Sequence, residues 1–426
     1  MKKLILMLSV IALGTASLFA QGIGLSGYGR YYAGYKAFNG NDNLAISQTT
    51  FNLNFDKTTS FGAVKINPML YFYNSDSLSL KLREAYIDMY FTSFDLRIGK
   101  QQVIWGKADG VFITDIVSPK NLEEFLLPDF DEIRTGITAA KLDFYVTDNH
   151  TLEAIWVPVF TPTIYPSTNS MWAPKFDFGI SLPGNPPIVI DNSKKEVKSS
   201  LENSEFFLKY SALTSLVDFE IMGAYTWDDD PALGKNVEFT PVNGHPVPSK
   251  ITVTPEYHRL SLAGGSFSTT LGPFVLRGEA AYYFGKYFQT TNPMVNNGLV
   301  QKDYLHYLVG VDFSLWDINF SGQFIQKAVM DYKDGELLET PMFKGQYNNM
   351  ATFLAHYSCI NETLTFEYFM YYDFNYDDAL IRPRILYDYS DSINLQLGAN
   401  IFTGTNGLFG QYNKNDMVYG KIIYSF

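Results

Sequence analysis

The chain has 426 residues, 30 Tyr and 34 Phe among them, a single cysteine and a formal net charge of −12. That acidity excludes general nucleic-acid binding, which needs a basic surface to neutralise phosphates, and the lone Cys359 excludes an internal disulfide framework. Beyond residues 1–20 no apolar run approaches the roughly 20 residues a membrane-spanning helix requires, which excludes a helical membrane protein.

Residues 1–20, MKKLILMLSVIALGTASLFA, have a basic start (Lys2, Lys3), an apolar run and a small residue, Ala20, at their end. This is the layout of a secretory signal peptide. Cleavage is expected before Gln21, although Leu18 stands where a small residue is usual. The domain reading is therefore a leader at 1–20 and one body at 21–426.

Segments of about ten residues with alternating polarity then follow one another along the chain, the signature of strands with one apolar face. GLSGYGRYYAGYK leads to SQTTFNLNF, where Phe51, Leu53 and Phe55 point one way and Asn52 and Asn54 the other. FGAVKINPMLYFY comes next, and its Pro68, which lacks an N–H donor, predicts a bulge. LREAYIDMYF and FDLRIGKQQV are joined by two residues, whereas the connection from Trp105 to about Ile133 is long. ITAAKLDFYV turns tightly into TLEAIWVPVF, and a long connection runs to about Asn203. EFFLKYSAL and LVDFEIMGAYTW, then YHRLSLAGGSF and FVLRGEAAYYF, repeat the scheme around a polar, Pro-rich loop at roughly 228–255. DYLHYLVGVDF, DINFSGQFIQ, MATFLAHYS, TLTFEYFMYY, RPRILYDY and INLQLGANIF complete the series. The chain ends inside a strand, NDMVYGKIIYSF, with Val418, Gly420, Ile422, Tyr424 and Phe426 on one face.

The count is about 18 strands (16–18), with connections alternately short and long. An open sheet edge cannot be satisfied in lipid, so such a set must close. The fold class is all-β, a closed antiparallel transmembrane barrel with short periplasmic turns and long extracellular loops, its last strand paired with its first. An exported soluble β-sandwich is the alternative, and it requires neither the one-sided long connections nor a terminal strand.

The stretch REAYIDMYFTSFDLRIGKQQVIWGKADGVFITDIVSPKNL (83–122) resembles the phosphate-selective and carbohydrate-selective porins and their uncharacterised relatives. The resemblance rests on R-x-G-K-Q, then W-G with an Asp, then P-x-N, and on the tail IFTGTNGLFGQYNKNDMVYGKIIYSF; together they cover about 65 residues. It implies a diffusion channel, with no particular substrate. The terminal Tyr424 and Phe426 resemble the signal read by the barrel-assembly machinery of outer membranes.

If the apolar face meets outer-membrane lipid, the opposite residues line the interior. Candidates are Arg30, Lys65, Asp88, Arg97, Lys141, Asp143, Arg259, Arg277, Glu279, Glu367, Arg382 and Arg384. The arginines form either a basic ladder for anions or pairs with lumen carboxylates such as Asp388 and Glu279; the balance of signs predicts weak charge selectivity. The connection 105–133 is richer in apolar residues than a solvated loop needs. It is a candidate constriction, with Trp105, Asp109, Phe112, Asp115 and Phe125 as its marked residues, and NLEEFLL in it carries a weak helix-start signal.

Enzyme signals are poor. The five histidines (150, 245, 258, 306, 356) are scattered without metal spacing, His258 and Ser261 fall on opposite strand faces, and no nucleotide-binding glycine motif occurs. Asp228–Asp230 reads as a solvated acidic loop or a surface Ca²⁺ site. The expectation is a non-enzymatic outer-membrane channel for passive diffusion of small hydrophilic solutes, without metal or cofactor, as a monomer or a homotrimer. The alternatives are a gated transporter of one substrate and an adhesin or scaffold displaying its loops.

Overall fold

The structure, a computed structural model, describes residues 22–37, 44–73, 77–174, 186–242, 245–292 and 294–426. The expected leader at 1–20 lies outside the described residues. Five strands open the fold in chain order: β1 (Gly24–Lys36), β2 (Leu44–Thr59), β3 (Gly62–Tyr73), β4 (Leu78–Tyr90) and β5 (Phe94–Gln101). β6 (Ile137–Thr147) and β7 (His150–Val157) follow the first long connection. β8 (Ile188–Ile190) lies in the second, before β9 (Glu205–Ala212) and β10 (Asp218–Trp227) return to the wall. β11 (Ala232–Val242) and β12 (His245–Glu256) form a hairpin, which β8 joins in parallel as a separate three-stranded sheet. The wall continues with β13 (Arg259–Leu271), β14 (Phe274–Gln289), β15 (Leu299–Leu315) and β16 (Ile318–Val329). It ends with β17 (Tyr347–Cys359), β18 (Leu364–Asp373), β19 (Asp378–Ser390), β20 (Ile393–Thr403) and β21 (Met417–Ser425).

Each wall strand pairs antiparallel with the next, and β21 pairs with β1 from Tyr28↔Ser425 to Lys36↔Met417, closing an 18-stranded barrel. The chain end seals the seam: Phe426 and Gly27 exchange both backbone hydrogen bonds, at 3.0 and 3.1 Å. Tyr424 and Phe426 point outward with stacked rings. The expected bulge is present as a register shift between Asn67 and Pro68. At the β15–β16 turn Trp316 and Asp317 both take positive φ (51° and 62°), the left-handed pair that a two-residue hairpin turn requires.

Two local expectations are corrected. The Pro-rich stretch at 228–255 is not an irregular loop but the β11–β12 hairpin, because Ile251, Val253 and the threonines around them alternate as a strand. The segment NLEEFLL forms turns rather than a helix: Asn121 Oδ1 accepts from Glu123 N as a helix cap would, but Phe125 takes φ 56° and breaks the run after one turn. The one helical turn of that connection is Phe130–Ile133.

The outer face is apolar from strand to strand, with Ile98, Phe206, Leu208, Ile221, Val309, Leu397 and Ile422 all exposed on it. Such a face is stable in lipid and not in water. Replacing Ile221, 60% exposed at mid-wall, with Arg is expected to cost about 2–4 kcal/mol in lipid vesicles. Urea unfolding measures it, and a cost near zero would place that face in water.

Candidate functional site

The inner face carries charges, and the segment 102–136 between β5 and β6 lies among them. The glycine of R-x-G-K-Q starts this path: Gly99 has φ 135°, and a Cβ there would stand 2.3 Å from Ala85 O. Trp105 follows, 1% exposed, its indole N–H donating to Glu153 and its ring edge-on to Phe207 at 6.1 Å. Gly106 lets the chain pass Asp115, whose Cβ would be 2.8 Å from a side chain there. Asp115 takes Trp105 N at 3.1 Å and Arg134 Nε at 2.5 Å, tying the two ends of the segment together.

Between those ends the segment reaches walls far apart in the sheet order. Lys107 N and Thr114 Oγ1 donate to Glu279 on β14, and Lys107 Nζ pairs with Glu220 on β10 at 3.2 Å. Asp109 pairs with Arg277 and accepts from Ser321 Oγ at 3.0 Å. Gly110 O accepts from Tyr371 OH at 2.8 Å. On the other side Arg30 of β1 donates to both Glu132 oxygens, at 2.7 and 2.9 Å, and Arg83 of β4 holds Asp131 at 2.7 Å. Gln48 Nε2 reaches Glu124 at 2.9 Å, and Arg382 of β19 donates to the carbonyls of Leu126 and Leu127 at 2.9 and 2.7 Å. Contacts to β1, β2, β4, β10, β14, β16, β18 and β19 place the segment across the barrel interior.

Its apolar residues pack inward as well. Ile113 is fully buried against Ala281, Leu308 and Ile325. Phe125 sits among Trp172 of the connection after β7 and Phe409 and Tyr412 of the connection after β20, with Phe402 beneath. Three loop segments thus share one aromatic core inside the wall. Phe112 lies 5.2 Å from Phe130, with the Arg134 guanidinium 5.3 Å from its ring.

Two carboxyls of the segment titrate in opposite directions. Burial pushes Glu124 above its usual range. Burial also opposes ionisation of Asp129, but Lys421, Arg384, Arg30 and Arg382 outweigh it and hold that carboxyl below its usual range.

The remaining wall candidates form short ion pairs. Arg97 Nε meets Asp88 at 2.6 Å and Lys65 meets Glu84 at 3.0 Å. Lys141 bridges Asp143 (2.6 Å) and Glu153 (3.5 Å), and Arg384 holds Glu367 at 2.7 Å. Arg277 also pairs with Asp312 at 2.9 Å. Arg30, Arg97, Arg277 and Arg384 therefore do have acidic partners, while Arg382 has only the Asn400 side-chain oxygen and two backbone carbonyls; neither acid named from sequence serves, since Asp388 accepts from Asn394 and Glu279 from the interior segment.

Arg259 is corrected. It stands opposite Trp227 on the outer face, stacks on Tyr225 and Trp227 at 4.8 and 4.4 Å, and donates to Ser204 O at 2.9 Å. Its neighbours Leu260 and Leu262 point inward and are buried, so apolar side chains mark the inner face there. Asp228–Asp230 is a packed cluster instead of a solvated one: Asp228 pairs with Lys286, and Asp230 accepts from Tyr165 OH at 2.7 Å. Sequence reasoning missed the interior partners Glu132, Asp129 and Asp131. Their signal was a run of acids in a connection that has basic strands on several sides.

The fold is similar to that of several solved bacterial proteins. OccK2 (OpdF) of Pseudomonas aeruginosa, crystallised in complex with glucuronate, matches with a TM-score of 0.53 at 10% identity over 95% of this chain and 98% of that one. OccK5 (OpdH) of the same organism matches with 0.52 at 12% identity, and OccAB2 of Acinetobacter baumannii with 0.55 at 10%, both over 95% of this chain and 98% of theirs. No curated protein matches the sequence. Residues 20–426 match the family model described as "Protein of unknown function (DUF1302)", and with nearly the whole chain covered, this protein belongs to that family.

Proposed function

We propose that the protein is an outer-membrane channel through which small hydrophilic solutes diffuse passively, delivered by the leader at 1–20 and narrowed by the segment 102–136. The observation that carries this reading is the double-sided wall: apolar residues outside, paired charges inside, and a polar segment held across the interior by ion pairs to several strands. A barrel serving only to display loops has no need of charged pairs throughout its interior. Similarity to channels adds support at the level of fold. The terminal Tyr424 and Phe426 fit the role of assembly signal expected for such barrels.

A gated transporter is the second reading, favoured by one feature: Phe125, Trp172, Phe409 and Tyr412 join three connections into a single aromatic cluster inside the wall. Reconstitution in planar bilayers separates the two. A passive channel gives frequent current steps proportional to salt concentration, and a gated one stays silent until its solute is added. A protein that inserts and never conducts under either condition overturns both.

A further inference from the structure

One arginine of the wall faces away from the lumen. Arg259 opens β13 directly after the β11–β12 hairpin, and its register partner Trp227 closes β10, so both stand at the rim that carries the long connections. Their side chains lie on the outer face, at the level where lipid headgroups meet water. A lipid-facing arginine is tolerated there and costly deeper in the wall.

The guanidinium is held but not neutralised. It lies 4.8 Å from the Tyr225 ring and 4.4 Å from that of Trp227, and it donates to two backbone carbonyls, Ser204 O at 2.9 Å and Glu202 O at 2.7 Å. Among the described residues it makes no ion pair. The acid within its electrostatic reach, Glu205, is buried on the inner side of β9, with its carboxylate taken by Thr226 Oγ1 and Trp227 N. Rings and carbonyls orient the fork while using two of its five N–H donors, which leaves a full positive charge and free donors at the outer surface. A phosphate fits that arrangement, since arginine meets phosphate oxygens through two parallel N–H bonds.

Beside this rim the outer wall is hollowed. A groove of about 660 Å³ has Ala154 and Gly223 on its floor and Trp156, Phe206, Leu208 and Tyr225 along its sides. The registers explain its shape: Ala154, Leu208 and Gly223 share one rung of β7, β9 and β10, and Trp156, Phe206 and Tyr225 share the next outward-facing rung toward the rim. Tyr225 belongs to both features, lining the groove and stacking under Arg259. An apolar chain laid in the trough therefore brings an anionic head to the guanidinium. We propose that Arg259 and this groove bind a phosphorylated glycolipid of the outer leaflet, its phosphate on the guanidinium and one acyl chain in the trough. The rim decides between phosphate carriers, because the outward leaflet of an outer membrane carries its phosphates on acylated sugars and the inward leaflet on glycerol.

The site faces lipid, so it stands whether or not solutes cross the lumen. The test is native mass spectrometry of the folded barrel released from neutral-detergent micelles doped with bisphosphorylated lipid A, dephosphorylated lipid A or phosphatidylglycerol. One bisphosphorylated molecule is expected to stay bound under activation that strips the other two. Arg259→Gln should lower its retention about tenfold, to the level of the dephosphorylated form. Gly223→Leu should lower retention of both lipid A forms several-fold by filling the trough; a Cβ there meets only Leu262 O, at an ordinary 3.7 Å. Lys333→Gln, which removes an exposed cation from the connection after β16, leaves both unchanged. Heat-modifiable electrophoretic mobility verifies that each variant is folded; should Arg259→Gln fail to fold, Gly223→Leu carries the test. Equal retention of the phosphorylated and dephosphorylated forms, retention indifferent to both variants, or equal retention of phosphatidylglycerol overturns the proposal.

Discussion

Excising residues 107–132 and joining the ends through a short Gly-Ser linker is expected to raise single-channel conductance several-fold and to turn the pore toward anions. The segment carries seven carboxylates (Asp109, Asp115, Glu123, Glu124, Asp129, Asp131 and Glu132) against Lys107 and Lys120. Its removal strips the acidic partners from Arg30, Arg83 and Lys421 and one of two from Arg384, and exposes Arg382. On the opposite wall it releases Glu220 and Glu279. Freed cations outnumber freed carboxylates, and fixed charge lining a narrow pore sets the sign of the ions it favours. The reversal potential in a KCl gradient measures the preference. A larger pore that favours cations would contradict the charge balance, and an unchanged conductance would show that the segment does not limit flow.

The second large effect is expected from Glu132→Ala. Glu132 takes both Arg30 nitrogens and the hydroxyl of Tyr28 at 2.8 Å, with the Arg30 and Glu132 side chains only 6% and 10% exposed. Removing one partner of a buried pair leaves the other charge uncompensated, at a cost of about 3–5 kcal/mol. The barrel's strand pairing does not depend on this pair, so the cost falls on the docking of the segment. Amide hydrogen exchange around 120–134 should accelerate by roughly two to four orders of magnitude while the wall stays protected. The double variant Arg30→Met, Glu132→Met should recover much of the protection, because it removes both charges together. If the single and double variants exchange alike, the pair is not what anchors the segment.

Some of this was legible in the chain because its physics is local. Alternation over ten residues assigns a face without knowledge of neighbours, and Phe51, Leu53 and Phe55 against Asn52 and Asn54 are enough to define β2. Even the unusual proline at 68 announces its bulge through the missing donor. Arg259 shows where the rule gives out. It stands between His258 and Leu260, and the reading that sends leucines to lipid sends the arginine inside; the structure does the opposite, because Leu260 and Leu262 are buried on the inner face. Alternation gives two faces but labels them only where the interior is wet.

The sequence by itself determined the number of wall strands to within two, the closure of the last strand on the first and the apolar outer wall, since each follows from a two-residue period and from the absence of water in a bilayer. Only the tertiary structure decided what fills the cylinder. Asp109 meets Arg277, Glu132 meets Arg30 and Phe125 meets Phe409 across sequence separations of a hundred residues or more. Charge and ring pairing of this kind depends on which strands curvature and closure bring face to face, and no local pattern in the chain records it.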